Sequence, residues 1–158
     1  MTTFVEDGIQ HDFGLFLYTK RKDGIIKSVT KRKIKYGLKQ AYLAMKFRLS
    51  IEPHFKHKLL IHLHPEVEMS SDAHNYLRTP AYREFITAEA IVTNNKERYE
   101  YFQKIGDSNQ KKIKSFYSEE EAIEWLNSFP NELQSLEKVH GHIRELELKL
   151  DSLDQIIY

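Results

Sequence analysis

The sequence predicts an α/β fold: a mixed or largely parallel sheet of about five strands with helices packed on it, followed by one long C-terminal helix. Three observations predict this. Two β-rich runs near the front are separated only by a polar turn, which is a hairpin signal. From residue 36 onward short apolar runs alternate with helical repeats, the pattern of strand–helix–strand units. After Pro130 the apolar positions settle into a seven-residue period.

The elements follow in order. Residues 13–19, FGLFLYT, and 24–30, GIIKSVT, are the hairpin strands, joined by KRKD. From Tyr36 the period becomes helical: Leu38, Ala41, Tyr42, Met45 and Leu49 share one face, Lys39, Lys46 and Arg48 are placed off it, and Pro53 ends the pattern. KLLIHL, 58–63, is a strand bounded by Pro65. In SSDAHNYLRTPAYREF, Ser70 or Ser71 caps a short helix and Pro80 opens another helical turn. AEAIVTN, 88–94, is a strand, and NKERYEYFQKIG is a helix expected to close at Gly106, the residue type best suited to a left-handed cap. KIKSFY, 112–117, alternates as a strand. SEEEAIEWLNSF then carries a capping box, Ser118 with Glu121, and a stripe of Ala122, Trp125, Leu126 and Phe129. The expected core is Phe16, Ile26, Leu38, Tyr42, Met45, Leu59, Ile61, Ile91, Phe102, Phe116, Ile123, Trp125 and Leu126.

The last segment, 131–157, repeats Leu136, Val139, Ile143, Leu146, Leu150, Leu153 and Ile157 at alternating steps of three and four. That is the a/d seam of a coiled coil, and a helix of about 27 residues spans roughly 40 Å. The spacing predicts a helix that projects from a domain at 12–129 and pairs two copies of the chain, making these seven residues the dimerisation seam. An amphipathic helix folded back on its own domain is the other reading, and Gly141 weakens the coiled coil by about 1 kcal/mol relative to alanine.

Composition excludes several classes. With 158 residues, 41% hydrophobic and 30% charged, the chain is sized for one domain and is too apolar for disorder. No apolar run is long enough to cross a membrane, and the acidic front MTTFVEDGIQHD lacks the apolar core of a signal peptide, so a cytoplasmic protein is expected. The absence of cysteine removes disulfides, thiolate metal sites and cysteine nucleophiles together. A net charge of +1 conceals a basic region: residues 20–58 hold 13 Lys or Arg against two acids. TKRKIK, 30–35, with Lys20, Arg21, Lys22 and Lys27 to follow a phosphate backbone and Tyr18 or Tyr36 to stack, is the candidate nucleic-acid surface; no base-reading motif accompanies it, and a solvated face is the ordinary explanation.

Six segments taken together, DGIIKSV, YGLKQAYLAM, KLLIHL, MSSDAHNYL, AEAIVT and FYSEEEAIEWL, resemble the SpoIIAA-like group of small α/β domains, relatives of the STAS domain of anti-sigma-factor antagonists. The likeness runs over residues 12–129. It implies a non-enzymatic switch or ligand-binding domain of five strands and four or five helices. In the antagonist branch a serine at a helix start is phosphorylated within Asp-Ser-Ser-Gly. Here Met69, Ser70, Ser71 and Asp72 occupy that stretch, so Ser70 takes the switch position but lacks the preceding acid and the following glycine. Asp72 also repels a phosphate at the helix N-terminus, leaving capping as the ordinary job of both serines.

Among other site chemistry, His62 and His64 share a strand face by the period of two and supply half of a zinc site at a strand end. Glu66 and Glu68 read as an acidic loop, and no phosphate loop or nucleophile elbow occurs. No cofactor or metal is expected. The sequence thus predicts a regulatory or protein-interaction module, homodimeric through its last helix, with a possible protein partner. The alternatives are a small-molecule or lipid site in the strand-end crevice between His62 and Ser71, and nucleic-acid binding through residues 20–58.

Overall fold

The computed structural model describes residues 2–31, 35–108, 110 and 112–156. In chain order the elements are β1 (Thr2–Val5), β2 (Gly8–Asp12), β3 (Phe16–Arg21), β4 (Ile25–Thr30), β5 (Lys35–Tyr36), α1 (Leu38–Ile51), β6 (His57–His62), β7 (Glu68–Met69), α2 (Ser71–Leu77), α3 (Pro80–Arg83), β8 (Ile86–Val92), α4 (Lys96–Ser108), β9 (Ile113–Phe116), α5 (Glu119–Asn127) and α6 (Leu136–Ile156).

Seven strands form one mixed sheet in the order β1-β2-β3-β4-β6-β8-β9. The first four are an antiparallel meander, and β4, β6, β8 and β9 are parallel neighbours. Each parallel step needs a crossover, supplied by α1, by α2 with α3, and by α4. β5 and β7 pair separately as a two-stranded ribbon.

The segments expected as strands correspond to β3, β4, β6, β8 and β9, but the described sheet has seven strands and not about five. β1 and β2 are additional, so the sheet begins at Thr2 and not near residue 12. Their signal is weak because this edge hairpin is half exposed and TTFV and GIQHD show no apolar–polar alternation, with Phe4 83% exposed. Gly8 makes the hairpin possible: a Cβ there would stand 2.0 Å from the Lys20 carbonyl oxygen on β3.

The two faces of the sheet bury different layers. Tyr18, Ile26 and Leu59 pack under α1, α2 and α3, with Val139, Leu146 and Leu150 of α6 in the same core. Ile25, Leu60, Ala88, Ala90 and Phe116 point the other way, against Ala122 and Leu126 of α5. Of the expected core, Leu38, Ile61, Phe102, Ile123 and Trp125 are only partly buried and flank these clusters.

α6 does not project. Gln134 donates from its side chain to the carbonyls of Pro53 and Phe55 at 3.1 and 2.9 Å, and its backbone N–H donates to the His54 carbonyl. This clip turns the chain back so that α6 runs antiparallel along α1, with Lys39 2.9 Å from Asp154 and Lys46 3.7 Å from Glu147. The seam assigned to a second copy is therefore spent inside one: Val139, Leu146 and Leu150 are buried, Ile143 and Leu153 pack beside them, and Leu136 is exposed. Ile157 lies outside the described residues. The physical reason is that His142, stacked on Phe85 at 4.8 Å, widens the stripe beyond a strict a/d seam, which suits a globular surface better than a partner helix.

Gly106 is likewise not a cap. It lies within α4, where a Cβ would meet the Ile113 carbonyl oxygen at 1.8 Å. Glycine is needed there because α4 and β9 approach backbone to backbone. Gly106→Ala is expected to destabilise the fold by about 3 kcal/mol, measured by urea unfolding, because the added methyl has no side chain to displace. An unchanged midpoint would show that the helix and strand separate freely.

Candidate functional site: a buried arginine among tyrosines

α1 carries a surprise on its inner face. Arg48 follows Met45 by three residues and Ala41 by seven, so it falls on the buried stripe and not off it, and only 4% of it is exposed. Its Nη2 donates to the Tyr82 hydroxyl at 2.7 Å and approaches the Met45 sulfur at 3.8 Å. Among the described residues no carboxylate comes within 4.0 Å of its guanidinium. Glu89 on β8 is the acid in the same wall, and Arg83 on α3 takes it at 3.0 Å.

Around Arg48 lies a cavity of about 60 Å³. Tyr18 and Phe16 of β3, Ser28 and Thr30 of β4, Ile61 and Leu63 at the end of β6, and Glu89 and Ile91 of β8 form its sheet side; Tyr36 and Met69 of the β5–β7 ribbon, Tyr82 of α3 and Phe102 of α4 close it. It sits toward the carboxyl ends of parallel strands, where folds of this kind leave room for ligands. A second hollow of about 160 Å³ shares Leu63, Met69 and Phe102 with it and opens past His74, Arg98 and Tyr101. Those three side chains, the gate, line both the inner chamber and the outer hollow. Arg98 of α4 fixes the gate's rim by donating to the carbonyls of His64, Pro65 and Val67 at 3.0, 2.7 and 2.7 Å.

Electrostatics keeps the tyrosines neutral. Burial pushes Tyr36 up to about 12, and it raises Tyr18 and Tyr82 further, with the Arg48 charge opposing the shift in each case. Arginine stays protonated throughout. The chamber therefore offers one fixed positive charge and several hydroxyl donors. Two of its polar atoms, the Tyr18 hydroxyl and Arg48 Nε, find no hydrogen-bond partner in the protein, although Tyr18 is near enough to Arg48 and Ser28 to feel both. Unpartnered buried polar atoms cost about 1–3 kcal/mol each, so a fold retains them where something else meets them.

His57, behind Arg48, is fully buried. Its Nε2 donates to the Glu52 carbonyl at 2.8 Å, and burial, then the Arg48 charge, hold its pKa down to about 4. Since the unfolded chain takes up this proton first, the stabilisation is complete above pH 6.5 and is lost as pH falls toward 4, by about 3 kcal/mol in all. Denaturant unfolding of wild type and His57→Gln at a series of pH values checks this: the pH slope across that window should shrink in the variant, and equal slopes would assign it to other groups.

The residues expected to form a site are dispersed. His62 faces α5, with Nε2 3.1 Å from Glu119, whereas His64 lies in the following turn and accepts from the Glu66 N–H. They do not share a site, and among the described residues no group of three His, Cys, Asp or Glu is placed to hold a metal ion. Ser70 caps α2, accepting from the Ala73 N–H at 3.3 Å while its hydroxyl donates to Asp72, and it borders a hollow that shares Tyr36 and Met69 with the chamber but does not line the chamber itself. Ser71 is the first residue of α2 and exposed. The basic region is largely neutralised: Lys20, Arg21, Lys27, Lys31, Lys39, Lys46 and Lys56 each pair with a carboxylate. Arg32 and Lys33 lie outside the described residues.

Arg48 and the gate were the residues missed by sequence reasoning, although Leu63 and Met69 fall within the predicted crevice. The signal available was an arginine at an a-type position of an apolar helical stripe, with tyrosines recurring at 18, 36, 76 and 82.

Among the described residues the architecture is that of an α/β domain with a mixed seven-stranded sheet and six helices. Residues 19–130, more than half the chain, match a family described as a domain of unknown function (DUF7793), and the protein belongs to that family. The match spans the sheet from β3 onward and ends before α6. No curated protein matches the chain, and no solved structure does. Among the described residues no helix is long and apolar enough to cross a membrane.

Proposed function

We propose that this protein is a non-enzymatic regulatory module of the SpoIIAA-like kind whose state is set by a small molecule held in the Arg48 chamber. The observation that carries this reading is a cavity at the carboxyl ends of β4, β6 and β8 lined by two unpartnered, fully buried polar atoms and one buried charge. The side-by-side order of the parallel strands, each joined to the next by a helical crossover, supports the SpoIIAA-like architecture. Neutral tyrosines beside a fixed arginine bind and orient, and Glu89, a carboxylate in the chamber wall, is committed to Arg83, which favours recognition over turnover. Occupancy has a route to the surface: the gate residues belong to the segments that seat α2 and α4, so a ligand that moves Met69 or Phe102 shifts the helices a protein partner would meet. This reading replaces pairing through α6, whose apolar stripe is already covered.

Thermal unfolding against a panel of small organic molecules tests it. A ligand that binds only the folded chain raises the midpoint with concentration. At least one compound should do so for wild type and fail for Leu63→Trp, which fills the gate. A panel without effect, or equal effects on both proteins, would remove the chamber from the function.

A further inference from the structure

We infer that the ligand of the chamber is a small monocarboxylate with an apolar tail, its carboxylate on Arg48 and Tyr18 and its tail passing the gate of Leu63, Met69 and Phe102. This rests on the reading of the chamber as a ligand site and adds the ligand's class. Charge selects the head. A buried cation is tolerated when paired, yet the groups beside Arg48 are neutral, namely the Tyr82 hydroxyl it donates to, the Met45 thioether and the nearby Tyr18 hydroxyl, and Glu89 is committed to Arg83. One uncompensated positive charge calls for one negative charge.

Hydrogen bonding selects the same head. Both unpartnered groups, Arg48 Nε and the Tyr18 hydroxyl, are donors, and a carboxylate is an acceptor at both oxygens. An amine would oppose the arginine, and an alcohol would meet the donors without meeting the charge. Size agrees. A dry apolar cavity of about 150 Å³ takes benzene, so the inner chamber of about 60 Å³ accommodates a head group and its first carbon, while the outer hollow of about 160 Å³ takes the rest. The path between the two is apolar, and His74 and Tyr101, bonded to each other at 3.0 Å, stand at its outer end.

Methionine methyl groups report the site directly, since Met69 is at the gate and Met45 touches Arg48. The full chain, labelled with ¹³C at its methionine methyls, is titrated in parallel with hexanoate, hexan-1-ol and hexylamine. Hexanoate should shift both Met69 and Met45 with an affinity at least about tenfold above that of hexan-1-ol, and hexylamine should shift neither. Tyr18→Phe, which keeps the packed ring, should weaken hexanoate by about tenfold and hexan-1-ol by less, because a hydrogen bond to a charged acceptor is the stronger one. If hexan-1-ol binds as tightly as hexanoate, the chamber is a ligand site and the carboxylate assignment falls. If no probe moves either methyl, the chamber itself is not a ligand site and both readings fall. The comparison of probes on wild type stands even where the variant does not fold.

Discussion

A chain ending at Phe129 is expected to lose cooperative unfolding and to associate or precipitate, while the full chain behaves as a monomer. α6 contributes Val139, Leu146 and Leu150 as buried side chains on the α1 side of the core. Burying each is worth about 1.5–3 kcal/mol, and a domain has only about 5–15 kcal/mol in total. Deleting them removes a large share of that margin and uncovers the apolar ground beneath, including Tyr42, whose ring lies under Lys149 at 5.5 Å. His142 and its stack on Phe85 go with them. Light scattering after size exclusion, with a thermal melt of both lengths, measures the outcome. A truncated chain that melts where the full chain does would mean that α6 is not part of the core. A full-length dimer that becomes a folded monomer on truncation would return the seam to pairing between copies.

How far the sequence carries depends on which physical constraint each element obeys. β6, β8 and β9 lie in the middle or parallel part of the sheet, where apolar runs between turn residues are forced by burial, and they fall within a residue or two of their expected places. α5 announces itself through Ser118, which accepts from the Glu121 N–H at 3.4 Å, and through charges packed into its first turn. β1 and β2 are less legible because an edge hairpin buries little, so its residues are free to be polar. The heptad of α6 was legible as a stripe but not as a destination: periodicity says that a face is covered and leaves open what covers it, which here is decided by the clip at Gln134, just ahead of Leu136, and by His142 widening the stripe. Gly106 shows the same limit. Glycine at the end of a helical pattern fits a cap and a close backbone approach equally well, and only β9, arriving seven residues later, distinguishes them. Arg48 was misplaced for a simpler reason. An arginine is assumed to seek water, so a charged residue on an apolar face is read as an irregular boundary and not as the centre of a site.

That assumption leads to the sharpest expectation about Arg48. Replacing it alone, Arg48→Met, is expected to change stability by less than about 1 kcal/mol, since relief from burying a charge is offset by leaving the Tyr82 hydroxyl without its partner. Removing both groups, Arg48→Met with Tyr82→Phe, leaves neither orphan, and the double variant is expected to be more stable than wild type by about 1–3 kcal/mol. A residue placed for packing gives the opposite result, because each substitution then opens space or removes contacts. The histidine behind the chamber supplies an independent signal: with the arginine charge gone, His57 should titrate above its present value of about 4, burial alone then holding it down. Urea unfolding gives the stabilities, and the imidazole resonances give the titration. Two destabilised variants would make Arg48 a structural strut. A stabilised double variant would mean that the wild-type fold gives up stability to keep a charge in its interior, and a protein does that where the charge is used.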